Sequence, residues 1–323
     1  MTTQVNPFGR TRAGVKPARR RSRGFAAGTR RRMTLAAYLF ILPGFALYAL
    51  VILYPTVQTV LLSFRDWQIA PGADSPWIGL TNYIQAFHDP IFLNSLVNAA
   101  VYTGVTVPLQ IIIGLFLAVL LDSRFPGRVA FRVLFYLPVI TSWVVVSLLF
   151  KYIFSSDAGL ANWFGNDILH VLNGNVSWFA GHWTAMIGIC ALGVWKGIGW
   201  SMIVFLAALT GVPRDLHEAA AIDGAGAGKR FWYISLPIIR ATTAVVVILL
   251  IIGGFNVFTS VLLITKGGPA GETQVPLTYM YNVAFGNFDF GYGASVSFIL
   301  TAIVLIISAL QYWWTRRVTR LAD

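Results

Sequence analysis

Four histidines, one cysteine, twelve acidic and twenty-four basic residues are the material from which any metal, thiol or acid–base site in this 323-residue chain would have to be built. Their spacing supports little such chemistry. His88, His170, His182 and His217 fall on loops and at the ends of apolar blocks, with no H-E-x-x-H or comparable ligand spacing. Cys190 stands alone inside an apolar block, so neither a disulfide framework nor a thiolate metal site is available. A membrane-bound enzyme would need His, Asp or Glu converging at one membrane face, and none do. The string AGAGKR at 225–230 looks superficially like a phosphate-cradling loop. That loop needs glycine five residues before its Gly-Lys pair and a hydroxyl residue after it; Asp223 and Arg230 occupy those places, and no buried strand precedes the segment. What remains is a lysine, Lys196, within an apolar stretch that carries no Asp or Glu.

The elements holding these residues are transmembrane helices. Hydrophobic residues make up 57% of the chain and charged residues 11%, against about 25% charged in soluble domains. The apolar residues come in blocks long enough to cross a bilayer core, which takes about 20 residues as a helix. Lipid offers the backbone no hydrogen-bond partners, so the fold class is all-α, and the alternating ten-residue strands of a barrel are not seen. The expected spans are 34–62, 94–121, 131–154, 183–210, 241–265 and 293–315, about six in all. The first is too long for a signal-peptide core and has no small-residue cleavage site after it. Pro43, Pro55, Pro108, Pro138, Gly253 and Gly254 mark kinks and close packing within these helices.

Charge sets the orientation. Twenty of the 24 basic residues lie before the first span, between the second and third, between the fourth and fifth, or after the last. The positive-inside rule places those regions and both termini in the cytoplasm, with 66–90, 156–182 and 267–290 outside. The net charge of +12 is therefore a topology signal, and nucleic acid is not expected as a partner. Residues 1–33 form a basic tail, expected to be disordered and drawn to anionic lipid headgroups, ahead of a membrane domain at 34–323.

One cytoplasmic connection does not read as a loop: VPRDLHEAAAIDGAGAGKRFWYISLPIIR, residues 212–240. Pro213 suits a helix start, with Asp215 and Glu218 in its first turns, where negative charge favours the helix dipole. Gly224, Gly226 and Gly228 then break the Ala-rich run, and Phe231, Trp232, Ile234 and Leu236 form a second amphipathic stretch before Pro237. Two short helices meeting at a glycine turn on the membrane surface would present a face for a partner to grip.

Here the residues resemble a known family. Glu218-Ala219-Ala220, Gly224, Ile234, Leu236 and Pro237 are similar to the EAA motif of binding-protein-dependent ABC importer permeases. The wider strings FLAALTGVPRDLHEAA, FRVLFYLP, TKGGP and FDFGYGAS resemble the carbohydrate-uptake branch, which includes maltose and glycerol-3-phosphate permeases, over nearly the whole chain from residue 34. Lys229, Ala227, Gly228 and Ala241 depart from that pattern but leave its glutamate and key glycine intact. The resemblance implies a multi-pass subunit of a bacterial inner membrane. It would pair with a second, homologous permease, two ATPase subunits and an extracytoplasmic binding protein. It would bind no cofactor itself, ATP and Mg²⁺ belonging to the ATPase. Residues 212–240 would be the coupling segment, with Glu218, Ala219, Ala220 and Asp223 against the ATPase and Gly224 in the turn. The cargo would be a sugar or a related polyol or sugar phosphate. An ion-coupled secondary transporter or channel subunit is the alternative, and it would ordinarily carry intramembrane acids.

The resemblance also points to a substrate pathway. GVWKGIGW in the fourth span would line it with Gly193, Trp195, Lys196 and Gly197; Val139 and Trp143 would join from the third span, and Gly254, Asn256 and Val257 from the fifth. A lysine at the bilayer centre costs about 2.5–3.5 kcal/mol on insertion scales, so Lys196 must face the bundle interior and find a partner. Trp195 offers a flat apolar face for a sugar ring. The alternative is that Lys196 pairs with a neighbouring carbonyl and the tryptophans only pack. Gly254 and Val257 replace polar family positions, so maltose itself is not the expected cargo.

Overall fold

The computed structural model describes residues 25–67, 74–123, 126–157, 159–171 and 174–320. The basic tail lies outside the described residues up to position 24, and helix begins at Phe25, ahead of the expected boundary at 33. The chain divides after Gln58 into two compact units. The first holds α1 (Phe25–Tyr48), a π-helical stretch Ala49–Leu53 and the start of α2 (Tyr54–Leu62). Ala36–Leu62 is long and apolar enough to cross a membrane.

In the second unit, α3 (Thr81–His88) precedes α4 (Pro90–Asp122), and the broken pair α5 (Arg128–Ile140) and α6 (Trp143–Ile153) follows. The short α7 (Leu160–Trp163) leads to α8 (His182–Thr210). Then come α9 (Arg214–Ile222), α10 (Ala227–Arg230) and α11 (Leu236–Ile238), followed by α12 (Arg240–Phe255), α13 (Thr259–Ile264), α14 (Pro276–Tyr281) and α15 (Phe290–Arg320). Among the described residues, five helical stretches are long and apolar enough to cross a membrane, or six if the bent pair α5–α6 is one span.

Two expected spans are not straight. The span expected over 131–154 bends by 96° between α5 and α6. Pro138 denies the last turn of α5 one backbone bond, Thr141 and Ser142 are extended, and Ser142 Oγ starts α6 by accepting from the Val144 amide at 3.3 Å. The span expected over 241–265 breaks at Asn256–Phe258, after the weak helix formers Gly253 and Gly254.

The bundle is built on α8, which packs along α4. Gly114 of α4 faces Ser201, and a methyl on Gly199 would overlap the Phe135 carbonyl of α5. Small residues let backbones approach where lipid gives no hydrophobic drive. Toward the ends of α4 and α8, Ala118, Leu121, Phe205, Leu206 and Leu209 bury together with Val212, Ile239 and Val246, which roots both ends of the 212–240 segment in the bundle. At the other end, Asp89 caps α4 by accepting from the Ile91 and Phe92 amides at 2.9 and 3.2 Å. Its second oxygen accepts from the hydroxyls of Tyr279 and Tyr292, joining α4 to α14 and α15. Burial pushes this carboxyl up, but those four hydrogen bonds outweigh it and hold Asp89 below the usual carboxylate range. Nearby, Asn98 Nδ2 donates to the Glu272 and Gln274 carbonyls at 2.6 and 2.8 Å, and its Oδ1 accepts from His182 Nε2 at 2.8 Å. Cys190 is buried in the apolar core beside Tyr102 and Ile189.

Candidate functional site

Along α8, Gly193, Lys196, Gly197 and Trp200 recur at helical spacing and form one stripe, which lines a cavity of ≈220 Å³. Facing it across the cavity, α4 contributes Tyr102, Thr106 and Gln110, one turn apart; Val139 of α5, Trp143 of α6 and Leu249, Leu250, Gly253 and Gly254 of α12 close the walls. A second cavity of ≈300 Å³ shares Tyr102, Trp143 and Gly253 with the first and continues along Asn256, Val257 and Ser260 at the break after α12. Gly193 and Gly197 have a positional reason: side chains there would overlap the Tyr102 ring and the Gln110 amide.

Lys196 is 4% exposed, and its charge is spoken for. Nζ donates to the carbonyls of Pro138 and Thr141, each at 2.7 Å, and more weakly to Val139 at 3.4 Å. It also sits 4.9 Å from the centre of the Trp143 ring, within cation–π range. These carbonyls belong to the C-terminal end of α5 and the bend beyond it, where a helix leaves acceptors unsatisfied and carries partial negative charge. Lys196 thus caps a helix that stops inside the bundle.

Of the residues expected to line a pathway, Val139, Trp143, Gly193, Lys196, Gly197 and Gly254 meet at the first cavity, and Asn256 and Val257 at the second. Trp195 lines neither. It is 42% exposed and packs on Phe150 of α6 with ring centres 5.5 Å apart. At about 100° per residue, Gly193, Gly197 and Trp200 lie to one side of Lys196 and Trp195 lies to the other, away from the cavity. The tryptophan on the cavity face is Trp200, one turn further on. Tyr102, Thr106 and Gln110 were not anticipated from sequence; their i, i+4, i+8 spacing in α4 was the available signal. Gln110 Nε2 donates to the Gly193 carbonyl at 3.1 Å, and Asn256 Nδ2 donates to the Ile252 carbonyl at 2.8 Å.

The 212–240 segment is a helical hairpin on the surface. Helix α9 ends in a Schellman turn: the Gly224 amide donates to Ala221 O at 3.1 Å and the Ala225 amide to Ala220 O at 2.8 Å. Gly224 has φ +79°, the left-handed region that favours glycine. The chain returns through α10 and a π-helical turn Phe231–Ser235 into α11. Arg230 Nη1 donates to the His217 carbonyl at 3.4 Å, tying the two arms together. Ile234 and Leu236 pack on the buried cluster between α4, α8 and α12, whereas Glu218, Ala219, Asp223 and Pro237 are exposed, and Ala220 is partly so. Ile222, 88% exposed on α9 one turn after Glu218, was not anticipated.

Comparison with known proteins agrees with this architecture. Residues 110–320 match the family described as the binding-protein-dependent transport system inner membrane component. The arabinooligosaccharides transport system permease protein AraP of Halalkalibacterium halodurans is 32% identical over 285 residues, 86% of this chain and 87% of that protein. The lactose transport system permease protein LacF of Rhizobium radiobacter is 32% identical over 287 residues, 86% of this chain and 93% of that one. A crystal structure of a bacterial ABC transporter that imports the acidic polysaccharide alginate contains a chain superposing with a TM-score of 0.78; at 21% identity it covers 91% of this chain and 99% of its own, and it shows the shared fold. Spanning helices, a surface hairpin and this extent of matching lead to one assignment: the chain belongs to the family of binding-protein-dependent transport system inner membrane components.

Proposed function

We propose that this chain forms one half of the translocation pathway of a carbohydrate-importing ABC transporter, with the joined cavities between α4, α8 and α12 as its part of the cargo site. It is a membrane transport subunit and not an enzyme. The observation that carries the reading is the cavity itself: aromatic faces of Tyr102, Trp143 and Trp200 beside the hydroxyl of Thr106 and the amide of Gln110 suit a ring with an apolar face and a hydroxylated edge. The cargoes named for AraP and LacF are carbohydrates, which supports the class. No Asp or Glu lines either cavity, which argues against the ion-coupled alternative.

In this reading a second permease completes the pathway, and an extracytoplasmic binding protein delivers cargo to the loops at the Asp89 end. Of two ATPase subunits, one seats α9 through Glu218, Ala219, Ala220 and Asp223, with the exposed Ile222 beside them. The distribution of basic residues puts both termini and the 212–240 hairpin in the cytoplasm. ATP and Mg²⁺ bind the ATPase, whose closure moves the hairpin; because Ile234, Leu236 and Ile239 root it against α4, α8 and α12, that motion reaches the cavity walls.

The test is ATP-driven uptake by the reconstituted complex. Glu218→Lys sets a like or unmatched charge at the docking face and costs up to several kcal/mol of association. Gly224→Val forces a β-branched residue to positive φ in otherwise open space, whereas Gly224→Asn tolerates that backbone. Glu218→Lys and Gly224→Val should insert normally yet lose at least tenfold in uptake, with Gly224→Asn near wild type. Full uptake by Glu218→Lys and Gly224→Val at normal membrane levels would remove the coupling assignment. Likeness leaves the cargo's charge open, since AraP and LacF are named for neutral sugars and the solved neighbour imports an acidic one.

A further inference from the structure

The chemistry of the cavity walls decides that question, given the carbohydrate reading above. We infer that the cargo is an uncharged carbohydrate, recognised through its hydroxyl donors, and not a phosphate-, carboxylate- or sulfonate-bearing one. The first support is the charge inventory. Lys196 is the one charged residue lining either cavity among the described residues. An ammonium has three donors, and the carbonyls of Pro138, Val139 and Thr141 take all three. Pulling Lys196 toward an anion would strip the cap from α5 and uncover its carbonyls. An anion in a cavity with low-dielectric walls needs a cation or several free donors to offset its desolvation, and this wall has no cation to spare.

The second support is independent of the first: the amides offer more acceptor than donor capacity, which suits a hydroxyl better than an anion. Gln110 spends one N–H of its NH₂ on the Gly193 carbonyl, and Asn256 one of its own on the Ile252 carbonyl. An NH₂ group carries two donors, so each amide offers cargo its carbonyl oxygen and at most one N–H. Such oxygens accept from sugar hydroxyls and repel phosphate, carboxylate or sulfonate oxygens. Tyr102 and Thr106 complete the polar wall with hydroxyls, which serve either role. Gln110 therefore acts as a specificity-determining residue: its carbonyl oxygen accepts from O–H and repels O⁻, and it carries no charge to offset an anion.

The experiment compares pairs of probes that keep the same rings and differ in a carboxylate: lactose with the uronate made by oxidising C6 of its galactose, and galactose with galacturonate. Binding is read from tryptophan fluorescence of the assembled membrane complex without its binding protein, so that protein's selectivity does not enter, and Trp200→Phe identifies the signal from this cavity. The neutral member of at least one pair should bind ten or more times tighter than its acid. Gln110→Lys, which adds a cation beside the single carbonyl of Gly193 and leaves it donors to spare, should narrow that ratio at least tenfold. Equal or tighter binding of the acid by the wild-type complex overturns the inference and leaves the carbohydrate reading in place. A ratio unmoved by Gln110→Lys overturns the role of Gln110. Binding of no member of either pair, with uptake of sugars also absent, removes the carbohydrate reading and this inference with it.

Discussion

Replacing Lys196 by methionine separates a structural role from a cargo-binding one, because the two predict opposite effects. The substitution keeps length and flexibility and deletes the charge. Its two short bonds, to Pro138 O and Thr141 O at 2.7 Å, are of the kind that contributes about 1.5–3 kcal/mol each. Against that, methionine escapes the several kcal/mol needed to desolvate an ammonium. The losses are uneven. Pro138 O keeps the Thr141 hydroxyl as a donor at 2.6 Å, whereas Thr141 O loses its Lys196 donor. The net expectation is a destabilisation of about 2 kcal/mol, or a Tm lower by about 3 °C for a chain of 323 residues. Insertion should not suffer, since removing a mid-membrane lysine makes it easier by about 2.5–3.5 kcal/mol. Thermal unfolding of the purified complex in detergent gives the first reading and uptake kinetics the second. Lys196→Met should lower Tm and maximal uptake with KM within about twofold of wild type, and Lys196→Arg should recover at least half of the Tm loss. An unchanged Tm with a tenfold rise in KM would show that Lys196 holds cargo and that the capped-bend account is mistaken.

Two further substitutions test the other polar junctions. Asn98→Asp, at a site 1% exposed, turns a donor to the Glu272 and Gln274 carbonyls into an acceptor facing them, at an expected cost of about 3–5 kcal/mol. Rapid proteolysis within 265–275 in the variant should report the released loop, and wild-type resistance would refute the network. Asp89 titrates below the usual carboxylate range, so its contribution to stability is complete above that range and is lost as pH falls through its depressed value. The Tm gap between wild type and Asp89→Asn should therefore be largest near neutrality and close on acidification below about pH 4; a gap independent of pH would contradict the assignment of that carboxylate as the charged acceptor of Tyr279 and Tyr292.

What composition and local pattern determine about this protein is the set of features governed by short-range physics. Bilayer thickness sets the length of an apolar block, so the spans over 94–121, 183–210 and 293–315 all fall within α4, α8 and α15. Backbone preference sets the hairpin: Pro213 precedes α9, and Gly224 alone suits the left-handed turn that ends it. The site depends on which faces meet, and that information is not local. Trp195 and Trp200 are equally apolar in sequence, and only the packing of α8 between α4 and α6 turns Trp200 to the cavity and Trp195 to Phe150. The 96° bend at Thr141–Ser142 is stabilised by a lysine more than fifty residues away, and Asn98 finds its carbonyl partners across more than 170 residues. Residues far apart in sequence gain their partners only when the helices pack, which is why the protein's architecture was legible from the chain while the face it turns to its cargo was decided by tertiary structure.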